Sequence, residues 1–303
     1  MPPPPPTPSD TANPAHPDRT DTAHLLVACP DQPGIIAAVS GLLRARGINI
    51  IQSDQYSTDP EGGSFYLRMV LHVRDVAARI EGLRGQFAAE VAEPLGMEFW
   101  LRDASAPKRV AVMVSRYDHC LLDLLWRWRR GELNIDVGCV VSNWTDLEGE
   151  VDRFGVPYHH IPVTREAKAE AEAAQLERIG GGQYDLIVLA RYMQVLSADF
   201  LAGAGCPIIN IHHSFLPAFA GAGPYERAKA RGVKLIGATA HYATQDLDEG
   251  PIIEQDVTRV SHRETQAELI RLGADVERTV LQRAVGWHCE DRVIVHGHTT
   301  VVF

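Results

Sequence analysis

Two polar residues with catalytic chemistry, Asn210 and His212, appear where an apolar run ends in P-I-I-N-I-H-H-S-F-L-P. Alternate side chains of an extended strand share a face, so Asn210 and His212 point one way and Ile211 the other. An asparagine amide is a fixed dipole that can hold negative charge on an oxygen, and a neighbouring histidine can donate to that oxygen or carry a proton. Further on, G-A-T-A-H-Y-A-T-Q-D-L-D-E-G-P-I-I-E-Q-D-V reads as strand, loop, strand, with Asp246, Asp248 and Glu249 crowded in the loop. A loop folded back over the strand end would bring one carboxylate to the imidazole and favour its charged form. Spacing alone leaves Asp246 and Asp248 as alternatives, while Glu249 reads as a solvated turn residue. Ser214 lies in the same segment, but no G-x-S-x-G turn surrounds it, which argues against a serine hydrolase.

Other polar groups carry less. His159 and His160 in P-Y-H-H-I-P-V stand beside a strand end. His160 is a candidate for lining the reaction pocket, but a metal would need a third ligand at suitable spacing, so no metal site is expected. His213, next to His212 on the opposite strand face, is expected to pack or meet solvent. Tyr225 and Glu226 follow Gly221 and Gly223 in a loop that could shape the acceptor side. The five cysteines, Cys29, Cys120, Cys139, Cys206 and Cys289, form an odd, widely spaced set with no C-x-x-C pair. That argues against a disulfide framework or a zinc ribbon and for small buried residues.

The elements that must position these groups are legible in the apolar pattern. Eight of the nineteen prolines fall in residues 1–22, a disordered, proline-rich tail with almost no apolar residues. From His24 the order is strand, helix, strand, turn at Glu61 to Gly63, strand, helix from Val76 to Gly96, and strand from Met97 to Leu101, that is β-α-β-β-α-β. The helix after D-Q-P-G carries Ile35, Val39, Leu42 and Leu43 at helical spacing and closes at Gly47. Residues 103–108 read as a linker. From 109 onward strands R-V-A-V-M-V-S, I-D-V-G-C-V-V-S, D-L-I-V-L-A and P-I-I-N-I-H alternate with helices, and V-P-Y-H-H-I-P-V is an extended connection. That alternation implies a mainly parallel sheet covered on both faces, with ligands at the carboxyl ends of its strands.

The chain of 303 residues is 45% hydrophobic and 22% charged, a folded-protein composition, and its formal net charge of −10 excludes general attraction to nucleic acid or anionic membrane. No apolar run approaches the roughly 18 residues that span a bilayer, and the N-terminus lacks a basic stretch followed by an apolar core. A cytoplasmic location is expected.

Residues 22–102, with D-x-P-G at Asp31 to Gly34 and R-G-I-N-I at Arg46 to Ile50, resemble an ACT domain, a ferredoxin-like regulatory module. The resemblance implies an amino-acid effector site around Asp31, Gly34, Ile35 and Asn49. Free N–H groups beside Gly34 could receive a carboxylate, or the glycine could merely permit the turn in a module that joins subunits. N-I-H-H-S-F-L-P followed by H-Y-A-T-Q-D-L-D-E-G-P-I-I is similar to the folate-dependent formyltransferase fold, a Rossmann-like α/β domain with an Asn, His, Asp trio. That resemblance puts the trio on Asn210, His212 and Asp248, since the family's aspartate precedes x-G-P. It also implies folate contacts from Arg191, Tyr192, Met193, Gln194, Val195 and Leu196 on one side. On the other they come from Gln245, Asp246, Leu247 and Gly250.

Members that formylate a phosphorylated amine place a glycine-rich phosphate loop after the first strand, but here that position reads V-S-R-Y-D-H-C-L, without glycine. The member acting on initiator tRNA needs a basic C-terminal domain, and this chain ends at Phe303 soon after its last strand candidate. Water remains as acceptor. From His24 to Phe303 the pattern resembles the formyltetrahydrofolate deformylases. Membership implies hydrolysis of 10-formyltetrahydrofolate to tetrahydrofolate and formate in one-carbon and purine metabolism, without a cofactor, by a homo-oligomer. The alternatives are formyl transfer to a small amine and a non-catalytic, amino-acid-sensing folate binder.

Overall fold

Alternate residues of the first strand, β1 (Thr22–Pro30), face two different cores. Ala23, Leu25, Val27 and Cys29 pack with the helices on one side, and Leu26 packs with Tyr66 and Ile294 on the other, as the period of two requires. The computed structural model describes residues 19–59, 61–217 and 224–303. Most of the proline-rich tail expected at 1–22 lies outside the described residues, but Thr22, counted with the tail from sequence, already pairs with His72 in β1. After β1 come α1 (Ile35–Ala45), β2 (Asn49–Ser57), β3 (Ser64–His72), α2 (Val76–Phe87), a π-helical turn at 88–92, α3 (Glu93–Leu95) and β4 (Glu98–Asp103). The strands form an antiparallel sheet in the order β2-β3-β1-β4, with Ile35, Val39, Leu42 and Leu43 of α1 buried against it.

The second sheet has seven strands. In chain order its part of the molecule runs β5 (Lys108–Val114), α4 (His119–Arg130), β6 (Ile135–Ser142), α5 (Glu148–Asp152), β7 (Tyr158–His160), α6 (Lys168–Ile179), β8 (Leu186–Leu189), α7 (Ala198–Gly203), β9 (Ile208–His212) and α8 (Pro224–Arg231). It finishes with β10 (Leu235–Tyr242), β11 (Ile252–Arg259), α9 (Gln266–Cys289) and the hairpin β12 (Val293–His296) and β13 (Thr299–Val302). The order across the sheet is β11-β10-β9-β8-β5-β6-β7, parallel from β9 to β7 and antiparallel at β9-β10-β11. The mainly parallel α/β architecture expected from sequence is what the structure shows. Y-H-H, read as an extended connection, is the edge strand β7.

Both faces are covered. Val110, Val112 and Val114 of β5 pack with α4 and α9, whereas Ala111 and Met113 join Ile179 and Phe200 beneath α6 and α7. Burying each such valine or leucine contributes roughly 1.5–3 kcal/mol, which explains why the central strands are continuous apolar runs. Helix α9 lies in a stretch with no expected element; it begins at Thr265 in a capping box with Glu268, which satisfies two otherwise free backbone donors. No described helix is long and apolar enough to cross a membrane. The two sheets meet at Asp291, whose carboxylate takes His24 Nδ1 at 3.0 Å, Arg102 Nη1 at 3.2 Å and Lys108 Nζ at 2.5 Å.

Candidate active site

Strand β10 runs antiparallel to β9 in a register that puts His241 opposite Asn210. Asn210 Nδ2 donates to His241 Nε2 at 3.1 Å, while His241 Nδ1 lies 3.0 Å from the Tyr242 carbonyl oxygen. A carbonyl only accepts, so Nδ1 carries the proton and Nε2 is the acceptor. Burial lowers the pKa of His241, which keeps it in that neutral form. One amide hydrogen of Asn210 is thereby used for orientation and the other is left over.

His212 ends β9, is buried, and has Nδ1 3.2 Å from Asp248 Oδ1; His241 Nε2 is 3.8 Å from the same oxygen. The hydrogen bond from His212 holds the Asp248 carboxyl below its ordinary range despite partial burial. His212 Nε2 is buried and has no hydrogen-bond partner among the described residues. Asp248 has φ 60 and Arg191 φ 61, left-handed backbone that costs a non-glycine residue about 1–3 kcal/mol and clusters at functional sites.

The trio lies in a cleft of about 280 Å³ lined by 191–196, by Thr244 to Asp248, and by Asn210, His212, His213 and His241. Met193, Val195 and Leu247 are exposed apolar side chains on its walls. Ser115 Oγ fixes one wall by accepting from Met193 N at 3.0 Å while donating to Asn143 at 2.8 Å. Tyr192 is different: it is buried, its hydroxyl accepts from Gln175, and burial pushes its pKa up to about 12. Of the acidic loop, Asp246 and Glu249 are exposed and only Asp248 reaches the histidines. Gly250 is absent from the lining, and a Cβ there would lie 1.8 Å from the Tyr242 carbonyl oxygen, so its role is close backbone packing.

Several expected placements change. His213 lines the cleft with His212, because β9 stops at His212 and strand alternation no longer applies. Burial and the nearby Arg191 charge push its pKa down to about 4. His160 is exposed on β7, at the opposite end of the sheet from β10 and β11, and does not line the cleft. Ser214 is buried without lining it; its carbonyl accepts from Thr239. Tyr225 and Glu226 belong to α8 rather than a loop, while Gly221 and Gly223 lie outside the described residues. In the first sheet Asp31 accepts from Ser57 Oγ, Gly34 precedes α1 at φ 96, Ile35 is buried, and Asn49 is exposed at the start of β2.

Two features escaped the sequence reading. His241 was signalled only by a histidine ending a strand candidate, and the cluster of Glu277, Arg191, His119 and Tyr225 depends on α9. His119, Cys120 and Glu277 bring three metal-capable atoms within 4.8 Å of one another. Glu277 is already engaged by Tyr225, His119 and the Arg191 cation, a setting that disfavours a metal ion. All five cysteines have raised pKa values from burial, about 11 for Cys206 and about 12 for Cys289, which leaves them poor nucleophiles.

Comparison with known proteins gives the same two parts. The formyl transferase family model matches residues 108–285 and the ACT domain model residues 23–83. A formyltetrahydrofolate deformylase from Mycobacterium bovis is 58% identical over 283 residues, 93% of this chain and 91% of that protein. Its Bacillus subtilis counterpart, with the same name, is 52% identical over 93% of this chain and 94% of its own length. The crystal structure of a formyltetrahydrofolate deformylase from Pseudomonas syringae pv. tomato superposes with a TM-score of 0.88 at 46% identity, covering 93% of this chain and 94% of that one.

Proposed function

Because the chain belongs to the formyltetrahydrofolate deformylase family, we propose that its cleft hydrolyses 10-formyltetrahydrofolate to tetrahydrofolate and formate. A water oxygen attacks the formyl carbon, the C–N10 bond breaks, N10 takes a proton, and formate leaves as the anion with one proton released. The free amide hydrogen of Asn210 and protonated His212 hold the negative charge that develops on the formyl oxygen. Asp248 orients His212 and stabilises its charged form, and His241 keeps the Asn210 amide turned correctly. The observation that carries this reading is the buried, unpartnered His212 Nε2 beside the Asn210 amide, a donor pair with no acceptor of its own.

The apolar side chains Met193, Val195 and Leu247 suit the flat pterin ring, and backbone groups of 192–196 and 245–247 supply its polar contacts. The reaction so written needs no cofactor. Residues 22–103, through β4, form the regulatory module and 108–303, from β5, the catalytic module of a cytoplasmic homo-oligomer in purine-linked one-carbon metabolism; the linker read from sequence at 103–108 shortens to 104–107 because Asp103 ends β4 and Lys108 begins β5. The exposed Ile51 and Tyr56 on edge strand β2 support self-association, and the α1 N-terminus supports an amino-acid effector. The deciding experiment is formate release from 10-formyltetrahydrofolate with no amine added. Release supports hydrolysis; formyl transfer only on adding an amine, or folate binding without turnover, overturns it.

A further inference from the structure

Beside the trio lies a cation that the reaction as written does not use. The Arg191 side chain is 7% exposed, and its Nε is 3.4 Å from Glu277 Oε2. Neither Nε nor Nη1 has a hydrogen-bond partner among the described residues. Tyr117 covers one face of the guanidinium, with its ring 4.6 Å from Cζ. Glu277 divides its charge, accepting from the Tyr225 hydroxyl at 2.7 Å and pairing with His119 Nε2 at 2.8 Å. A Cβ on Gly273 would lie 1.8 Å from the Tyr225 hydroxyl, so only glycine in α9 lets Tyr225 reach Glu277. Ring contacts continue the cluster towards the trio, at 6.1 Å from Tyr225 to His213 and 5.3 Å from His213 to His212.

An arginine held only to pin α9 would have its donors matched. Here a planar guanidinium with five N–H donors shares a carboxylate with two other groups, and the residue lines the cleft. Hydrolysis creates what amide transfer does not: a free carboxylate next to the trio, where Asp248 repels it. Guanidinium is the side chain best shaped to receive a carboxylate. We propose that Arg191 is the seat of a small-monocarboxylate site that receives the formate product, with Glu277 setting how strongly it holds it. This proposal rests on the deformylase reading.

Formate release by the full-length wild type is measured first. Its absence removes the deformylase reading and the proposal with it, whereas release combined with no formate inhibition removes the formate site alone. Binding of [13C]formate is followed by line broadening, product inhibition by added formate at matched ionic strength, and tetrahydrofolate affinity separately. In Arg191→Gln, formate binding and inhibition should weaken about tenfold or more, the loss expected for a charge-assisted hydrogen bond. In Glu277→Gln, which frees the guanidinium, both should strengthen several-fold. Tetrahydrofolate affinity should hold within about threefold in each, well short of a lost charge-assisted contact. Unchanged formate binding in Arg191→Gln overturns the site. Loss of folate affinity in parallel makes Arg191 a folate contact instead, and weaker formate binding in both variants reduces the pair to a structural tie. Should Arg191→Gln fold poorly, Arg191→Gly, which suits φ 61, takes its place.

Discussion

Of the three aspartates in left-handed backbone among the described residues, Asp248 and Asp291 each pair with a buried histidine, and those two have opposite uses. Asp291, at φ 51, meets His24, Arg102 and Lys108. Its own carbonyl also accepts from Arg68. Asp248, at φ 60, pairs among the described residues only with His212 and, more distantly, His241. At Asp291 two permanent cations, the largely buried Lys108 and the half-exposed Arg102, lock the charge of a buried carboxylate, and the cluster ties the two sheets together. At Asp248 the partners are titratable imidazoles, and His212 Nε2 remains without an acceptor. Equal residue types thus yield a staple where polar capacity is saturated and a reactive site where it is left open.

Substitutions can break that contrast. Asp248→Asn should lower kcat by about 10³-fold or more, the upper range for a misoriented acid–base group, with little change in melting temperature. Asn210→Ala should cost about 10²- to 10³-fold in kcat while folate binding survives, since one oxyanion donor is removed; near-normal turnover removes Asn210 from the mechanism. Asp291→Asn should behave inversely, losing about 3 kcal/mol of stability in urea titration while kcat stays close to wild type, because the largely buried Lys108 ammonium loses its carboxylate partner.

The pH dependence of that third variant sharpens the comparison. Burial alone would raise the Asp291 carboxyl, but the His24 hydrogen bond and the Lys108 and Arg102 charges outweigh it and hold the pKa far below the ordinary 3.8. A depressed carboxyl stabilises the fold above its unfolded pKa and loses that contribution as pH falls towards the folded value. The stability gap between wild type and Asp291→Asn should therefore be constant near neutrality and shrink below about pH 4. A gap independent of pH would show that packing rather than charge joins the sheets. The smallest effect is expected for Asp246→Asn: the exposed carboxylate does not reach His212, and kcat should change by less than about threefold. A large loss there, with Asp248→Asn active, would reverse the assignment.

What the sequence determined was local. Period-two and helical spacing marked most strands up to β11 and the longer helices α1, α2, α4 and α6, but not the short α5 and α7, and N-I-H followed by D-L-D-E-G-P marked the residues that meet in the cleft. Those signals act over a few residues, through side-chain direction along a strand and turn geometry in a loop. The choice of Asp248 over Asp246 could be made from family resemblance but not from spacing; the structure shows which of the two lies 3.2 Å from His212. Three-dimensional packing alone decided the rest. His241 faces Asn210 through strand register across 31 residues, and Arg191 meets Glu277 through the docking of α9 onto the sheet. His213 joined the cleft because β9 stopped one residue before it. Where a strand ends, and which distant helix covers its end, are set by burial shared over the whole domain, which no short window of residues contains.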